Sequence, residues 1–194
     1  MISVCEKITD FLIKIDCIPY DGKDAYMYAV YGLVSDFLFW SIIVALAIMG
    51  KNINYLVFTY TVMTFRKYTG GFHLDNANIC FVFSLLAVVA GVKVAGITSN
   101  IFTDLQFLPL LTAGILFAIV KMSPVNHPNL HLSQKEFLIM KNKVCKISII
   151  TFVILFLMCI IKSETAYCIF SALALDFVLI ILAKVFNQEA PLRR

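Results

Sequence analysis

Residues 65–80, FRKYTGGFHLDNANIC, space Arg66, His73 and Cys80 at equal intervals along a polar, glycine-broken run. An imidazole that takes or stabilises a thiol proton turns cysteine into a good nucleophile. On one straight helix, residues seven apart have alpha carbons about 10 Å from each other. That is beyond hydrogen-bond reach, so pairing His73 with Cys80 requires the chain to turn between them. The sequence supplies the turn: Gly70 and Gly71 are predicted to end the preceding helix, and Asp75, Asn76 and Asn78 favour turns and helix starts. Cys80 is then expected in the first turn of the next helix, where the helix dipole favours a thiolate. Arg66 is suited to hold a carboxylate or neutralise an oxyanion, and Asp75 to orient His73. Each residue also admits a plain reading. A cysteine at a helix start is commonly structural, a boundary histidine solvated, and Arg66 and Lys67 serve equally as topology charges.

Other reactive side chains point less sharply. Cys5, Cys17, Cys145, Cys159 and Cys168 have no histidine close in sequence and read as free, mostly buried packing thiols. There is no CxxC pair, and His127, His131 and Cys145 match no zinc spacing, so neither metal nor cofactor is expected. Met63, Met122 and Met140 read as packing residues. Neither a glycine-rich phosphate loop nor a pore signature is present, and no nucleic-acid partner is expected.

The elements that must position the motif are membrane helices. Of 194 residues, 61% are hydrophobic and 14% charged, against roughly 25% charged in a soluble domain; mean hydropathy is +0.90. The expected fold is all-α: a single membrane-embedded domain over 1–194, with an amphipathic helix and turn in 1–24 and a polytopic bundle of about six transmembrane segments in 25–194. In the first part Val4, Ile8, Phe11, Leu12 and Ile15 recur at helical spacing, which predicts a helix lying at the bilayer interface. Its charges interrupt any apolar core, so no cleavable signal is expected. Spans are predicted over 25–49, 53–65 (short, with helix continuing through Tyr68), 79–97, 105–120, 144–161 and 166–186. Pro109 is expected to kink the fourth, and residues 98–104 to form a turn. Ser133 and Glu136 form a capping-box pattern that starts a helix within the polar 121–146 stretch.

Charge orients these spans. With the N-terminus inside, thirteen Lys and Arg residues fall on the cytoplasmic side and only Lys51 and Lys162 outside, a strong positive-inside bias. Both termini, the 66–78 motif and the 121–146 stretch are therefore expected in the cytoplasm. Lys121, Lys135, Lys141, Lys143 and Lys146 make that stretch basic and attractive to an acidic ligand. Asp36, Lys93 and Asp176 lie inside apolar spans, where charges are costly and often functional. They either pair between helices or line a path.

The motif resembles that of the accessory gene regulator B (AgrB) family of membrane peptidases: an Arg, a Gly pair, a His, and a Cys seven residues later, here Arg66, Gly70, Gly71, His73 and Cys80. The run SPVNHPNLHLSQKEF, residues 123–137, is similar to the family's proline-containing cytoplasmic loop. Size, span number and topology agree, and the resemblance covers nearly the whole chain. Leu74 departs from the small residue the family often places after the His. The resemblance implies a bacterial quorum-sensing enzyme of the cytoplasmic membrane, with His73 and Cys80 catalytic and an AgrD-type precursor peptide as partner. The precursor's acidic tail is cut off through an acyl-enzyme thioester, and the remainder is closed to a thiolactone or lactone. Homodimerisation is open to it. Two other readings stand beside this one: a non-enzymatic transporter or scaffold using Asp36, Lys93 and Asp176, and a disulfide- or metal-linked structural protein.

Overall fold

The computed structural model describes residues 2–15, 17–18, 23–72, 74, 76–101, 106–126, 132–188 and 190, with side chains from Cys5 onward. The described residues form seven helices and no extended strand: α1 (Ile2–Lys14), α2 (Lys23–Met49), α3 (Asn54–Thr69), α4 (Ala77–Ile101), α5 (Leu108–Met122), α6 (Gln134–Ile160) and α7 (Thr165–Val185). Four of them, α2, α4, α6 and α7, are long and apolar enough to cross a membrane. With 15 and 16 residues, α5 and α3 reach only about 22–24 Å, short of the ~30 Å hydrocarbon core.

The chain forms two compact units, Met1–Leu46 and Ala47–Arg194. In the first, an ion pair of 2.6 Å between Lys23 Nζ and Asp10 joins α1 to α2. Ile8, Phe11 and Ile15 are exposed.

In the second unit α7 is the axis, and α3, α4, α5 and α6 all pack on it. Ala166, Cys168, Ala172, Leu173, Ile180 and Ala183 are completely buried along it. Alanine at three of these positions lets neighbouring backbones come close, the usual device where lipid removes the hydrophobic drive between helices. The core around α7 includes Phe65, Leu116, Ile119, Val144 and Leu155 from the surrounding helices. Hydrogen bonds fix the helix directions. At one end Cys168 Sγ, in the first turn of α7, donates to the Asn54 carbonyl at the start of α3 (3.2 Å). At the other end Phe72, just beyond α3, donates to Leu179 O near the end of α7 (3.0 Å), and Val125, just beyond α5, donates to Thr69 O (2.8 Å). The C-terminal ends of α3, α5 and α7 therefore gather at one end, where α4 and α6 begin.

Several boundaries differ from expectation for local reasons. Pro109 occupies the first turn of α5, where its missing N–H has no helical partner to lose, so the expected kink is not needed. α4 runs on to Ile101, through residues expected to turn: Thr98 and Ser99 return their hydroxyls to Val94 O (2.8 Å) and Gly96 O (2.9 Å) instead of breaking the helix. The capping box at Ser133 and Glu136 is present, but the helix it starts does not stop before the span. α6 is one rod of 27 residues, about 40 Å long, so roughly 10 Å of it exceeds the hydrocarbon thickness. Cys17 and Cys145 are exposed and only Cys5 and Cys168 buried, which corrects the expectation of mostly buried thiols; all six cysteines are free.

Candidate active site

The turn after α3 is built by two glycines. Gly70 caps the helix, its N–H donating to Arg66 O (3.2 Å), with φ of 71°. Gly71 follows at 128°. Both values lie where L side chains are strained. A Cβ on Gly70 would also stand 2.7 Å from Val125 O, so the α5–α6 connection rests directly on this turn. The described start of that connection is packed inward. Ser123, Val125 and Asn126 are buried. Asn126 holds the connection together: its side-chain amide donates to Ala190 O (2.9 Å), and its Oδ1 accepts from the Leu132 N–H (3.1 Å). The Ala190 N–H returns a bond to Asn126 O (2.7 Å).

Arg66 lies in the last turn of α3. Its Nη2 donates to the carbonyl of Phe72, the residue before His73. Phe72 is held from three sides: by Arg66, by the backbone bond to Leu179, and by its ring, 5.4 Å from that of Phe186. The chain entering His73 is thus fixed to α3 and α7. His73 and Asp75 themselves lie outside the described residues, as do His127 and His131.

On the far side of the motif Asn76 starts α4. Its Oδ1 accepts from the N–H groups of Asn78 (3.0 Å) and Ile79 (3.3 Å), which satisfies donors the helix start leaves free. The first helical bond runs from Cys80 N–H to Asn76 O (2.9 Å). Cys80 therefore completes the first turn, as expected, and is half-buried. α4 begins at Ala77, so Cys80 stands three residues after its first residue.

The half-buried Arg66 side chain lies in the same last turn of α3 as Thr69. Asp176, in the middle of α7, is completely buried, with Oδ1 3.3 Å from the hydroxyl of Thr69. Asp36 and Lys93 are exposed on their helices, so the three intramembrane charges are not equivalent. Only Asp176 belongs to the motif.

The basic residues divide. Lys121 ends α5, while Lys135, Lys141, Lys143 and Lys146 all lie on α6. Two residues apart, Lys141 and Lys143 point about 160° apart on the helix. Lys143 places its Nζ 5.2 Å from the centre of the Tyr68 ring, which Lys67 also approaches at 5.7 Å. Cation–π contact thus brings α6 to the end of α3. Sequence reasoning missed Asp176 as a partner of Thr69, Tyr68 as the seat of Lys143, and Asn126 as a clasp. All three are long-range facts; the only local signal was an aspartate within an apolar span.

The sequence model of the family described as Accessory gene regulator B matches residues 5–183. Two Clostridium perfringens proteins named as AgrB-like, from strains SM101 and 13, are each 28% identical over 123 residues, covering 57% of this chain and 55% of theirs. The chain thus spans about half the length of the curated relatives it matches. No solved structure matches it.

Proposed function

The chain belongs to the accessory gene regulator B family, and we propose that it is a membrane cysteine peptidase that processes a quorum-sensing precursor peptide, with His73 as base and Cys80 as nucleophile. The observation that carries this reading is the half-buried Cys80 in the first turn of α4, at the end of the unit where the Gly70–Gly71 turn and Arg66 lie.

In the proposed reaction His73 takes the Cys80 proton, and the thiolate attacks the scissile carbonyl of the precursor. The oxyanion that forms is neutralised in part by Arg66. The tail leaves as an amine, protonated by His73, and the acyl group remains on Cys80 as a thioester. His73, neutral again, takes the proton of a cysteine or serine of the precursor, which attacks that thioester. Cys80 departs as thiolate, and the ring closes as a thiolactone or lactone. The thioester must outlast hydrolysis, and a half-buried site in a helical bundle limits water. Gly70 and Gly71 contribute by shape: they let the chain fold back so that Arg66 grips Phe72 and Val125 closes over the turn. Asp75 is proposed to orient His73.

The substrate is proposed to be an AgrD-type peptide whose acidic tail is attracted by Lys121, Lys135, Lys141, Lys143 and Lys146. Lys143 reaches the motif at Tyr68. The exposed apolar residues of α1 suit an interface where such a peptide collects. The bundle is proposed to sit in the bacterial cytoplasmic membrane with both termini, the motif and the lysines inside; the shared end of the motif and the α5–α6 connection supports this arrangement. Homodimerisation is compatible with it.

The test is co-expression with a candidate precursor, following cleavage by mass. Cys80→Ser is expected to bind precursor and leave it uncut, since a serine hydroxyl is much harder to deprotonate. His73→Ala is expected to slow cutting, with no further loss in the double variant, because the two act as one unit. Normal processing by Cys80→Ser would refute the reading.

A further inference from the structure

We propose that the residues following α7, Phe186, Asn187, Gln188 and Ala190, strap the α5–α6 connection onto the Gly70–Gly71 turn, and that Asn126, which fastens the strap, is a positioning residue for the Cys80 site. The inference rests on the reading of Cys80 as nucleophile and deepens it.

α7 ends by reversing the chain. Asn187 takes a left-handed φ of 52°, a conformation that asparagine visits more readily than most L residues. The Gln188 N–H then donates back to Ala183 O (2.8 Å) and the Asn187 N–H to Lys184 O (3.1 Å), the paired bonds of a helix closed by a left-handed residue. The chain that leaves this turn meets the motif at two places. Phe186 sets its ring 5.4 Å from that of Phe72, the residue before His73. Ala190 meets Asn126, 64 positions away in sequence, and the two exchange bonds. The Ala190 N–H donates to Asn126 O (2.7 Å), and the Ala190 carbonyl accepts from Asn126 Nδ2 (2.9 Å). Asn126 Oδ1 also accepts from the Leu132 N–H (3.1 Å). Asn126 is buried, so groups left unpaired there are costly.

The peptide unit between Val125 and Asn126 transmits this clasp to the site. Its carbonyl is Val125 O, the atom 2.7 Å from the place of a Gly70 Cβ. On one side the unit is tied by the Val125 N–H, which donates to Thr69 O (2.8 Å). On the other side it is tied by Asn126 to Ala190. Releasing Asn126 leaves the unit held from one side only, and the carbonyl can rotate away from Gly70. The Gly70–Gly71 turn then loses the surface it rests on, and with it the fixed path from α3 through Phe72 toward Cys80. Neither contact of the strap is made by a lysine, so the basic residues of α5 and α6 stay as they are. Asn187 is exposed, and replacing it tests the reversal without entering the core.

The experiment is hydrogen–deuterium exchange of the protein in lipid nanodiscs, read by mass spectrometry in the peptides that hold the Phe72 and Val125 amides, which are bonded to Leu179 O and Thr69 O. No precursor is needed. Loss of one fastening hydrogen bond changes local opening about fivefold. Asn187→Val puts a β-branched residue where φ is positive, and is expected to speed exchange at both amides about fivefold. Asn187→Gly adopts the turn freely and should exchange at the native rate. Asn126→Leu keeps the branching without donor or acceptor and should act as Asn187→Val does. The double variant should add little, because both changes open the same clasp. The peptide at Gly91, in the α4–α7 crossing, should be unchanged throughout. With precursor, Asn187→Val should lower kcat about tenfold and leave KM unchanged. A folded Asn187→Val protein with native exchange at both amides, or Asn187→Gly exchanging as fast as Asn187→Val, overturns the strap. Faster exchange with native kcat overturns the positioning role. Should Asn126→Leu not fold, Asn187→Val decides by itself. Native protein that leaves precursor uncut while the exchange coupling holds would refute the peptidase reading alone. Native processing without that coupling would refute the strap alone.

Discussion

At the scale of single residues, the motif divides into groups that react and groups that shape. Gly70 belongs to the second kind for two separate reasons, its φ of 71° and the 2.7 Å approach of Val125 O to the place of a Cβ. Gly71 has only the first, since its nearest neighbour is an ordinary 3.6 Å from a Cβ. Strained backbone of this sort costs on the order of 1–3 kcal/mol. Gly70→Ala is therefore expected to lower Tm clearly more than Gly71→Ala, and to lower processing as the α5–α6 connection is pushed off the turn. Equal Tm values would mean that the Val125 contact yields freely. The glycine pair was legible in the sequence as a helix stop, and Asn76 as a helix start, because both effects are local. The contact of Gly70 with Val125 and the bond of Thr69 to Asp176 were not legible. They join residues 55 and 107 positions apart, and no periodicity encodes such a meeting.

At the scale of elements, α3, α4 and α7 are locked at their crossing by small groups. Ser171 Oγ donates to Gly91 O at 3.0 Å, so α7 lies directly on the α4 backbone. A Cβ on Gly91 would stand 2.2 Å from the ring of Phe58 on α3, and Phe58 is completely buried with no room to swing aside. Gly91→Ala is expected to destabilise the bundle by about 1–3 kcal/mol, the usual cost of overpacking, read as a lower Tm in detergent. Recovery in Gly91→Ala with Phe58→Leu would identify the ring as the cause, and a native Tm in Gly91→Ala would contradict the packing described. Helix existence was well marked in the sequence by apolar runs, the capping box and the Lys162 turn. Helix ends were not, where the deciding interaction was a side chain returning to its own backbone. Thr98 and Ser99 look like turn residues but serve as helix residues in an apolar setting that offers no better acceptor. The continuity of α6 was hidden for a related reason: its polar first turns look like a loop by composition, although nothing between Ser133 and the span breaks a helix.

At the scale of the whole molecule, the helices from α3 to α7 run alternately, so one end of that unit receives the Gly-Gly turn, the start of α4, the buried residues that follow α5 and the lysine-bearing start of α6. Composition alone indicated a membrane protein and charge bias indicated which segments share a side. The gathering of those segments required the packing around α7. It places a half-buried thiol, a guanidinium and a basic helix at one end of the unit, and the proposed acyl transfer rests on that arrangement. The measurement that tests this most directly is the intact mass of the full-length protein shortly after mixing with precursor. The account predicts an added mass equal to the precursor without its tail, mapped to Cys80, released by hydroxylamine and absent in Cys80→Ser. Cleaved precursor with no such adduct in the native protein, or an adduct that persists in Cys80→Ser, would contradict it.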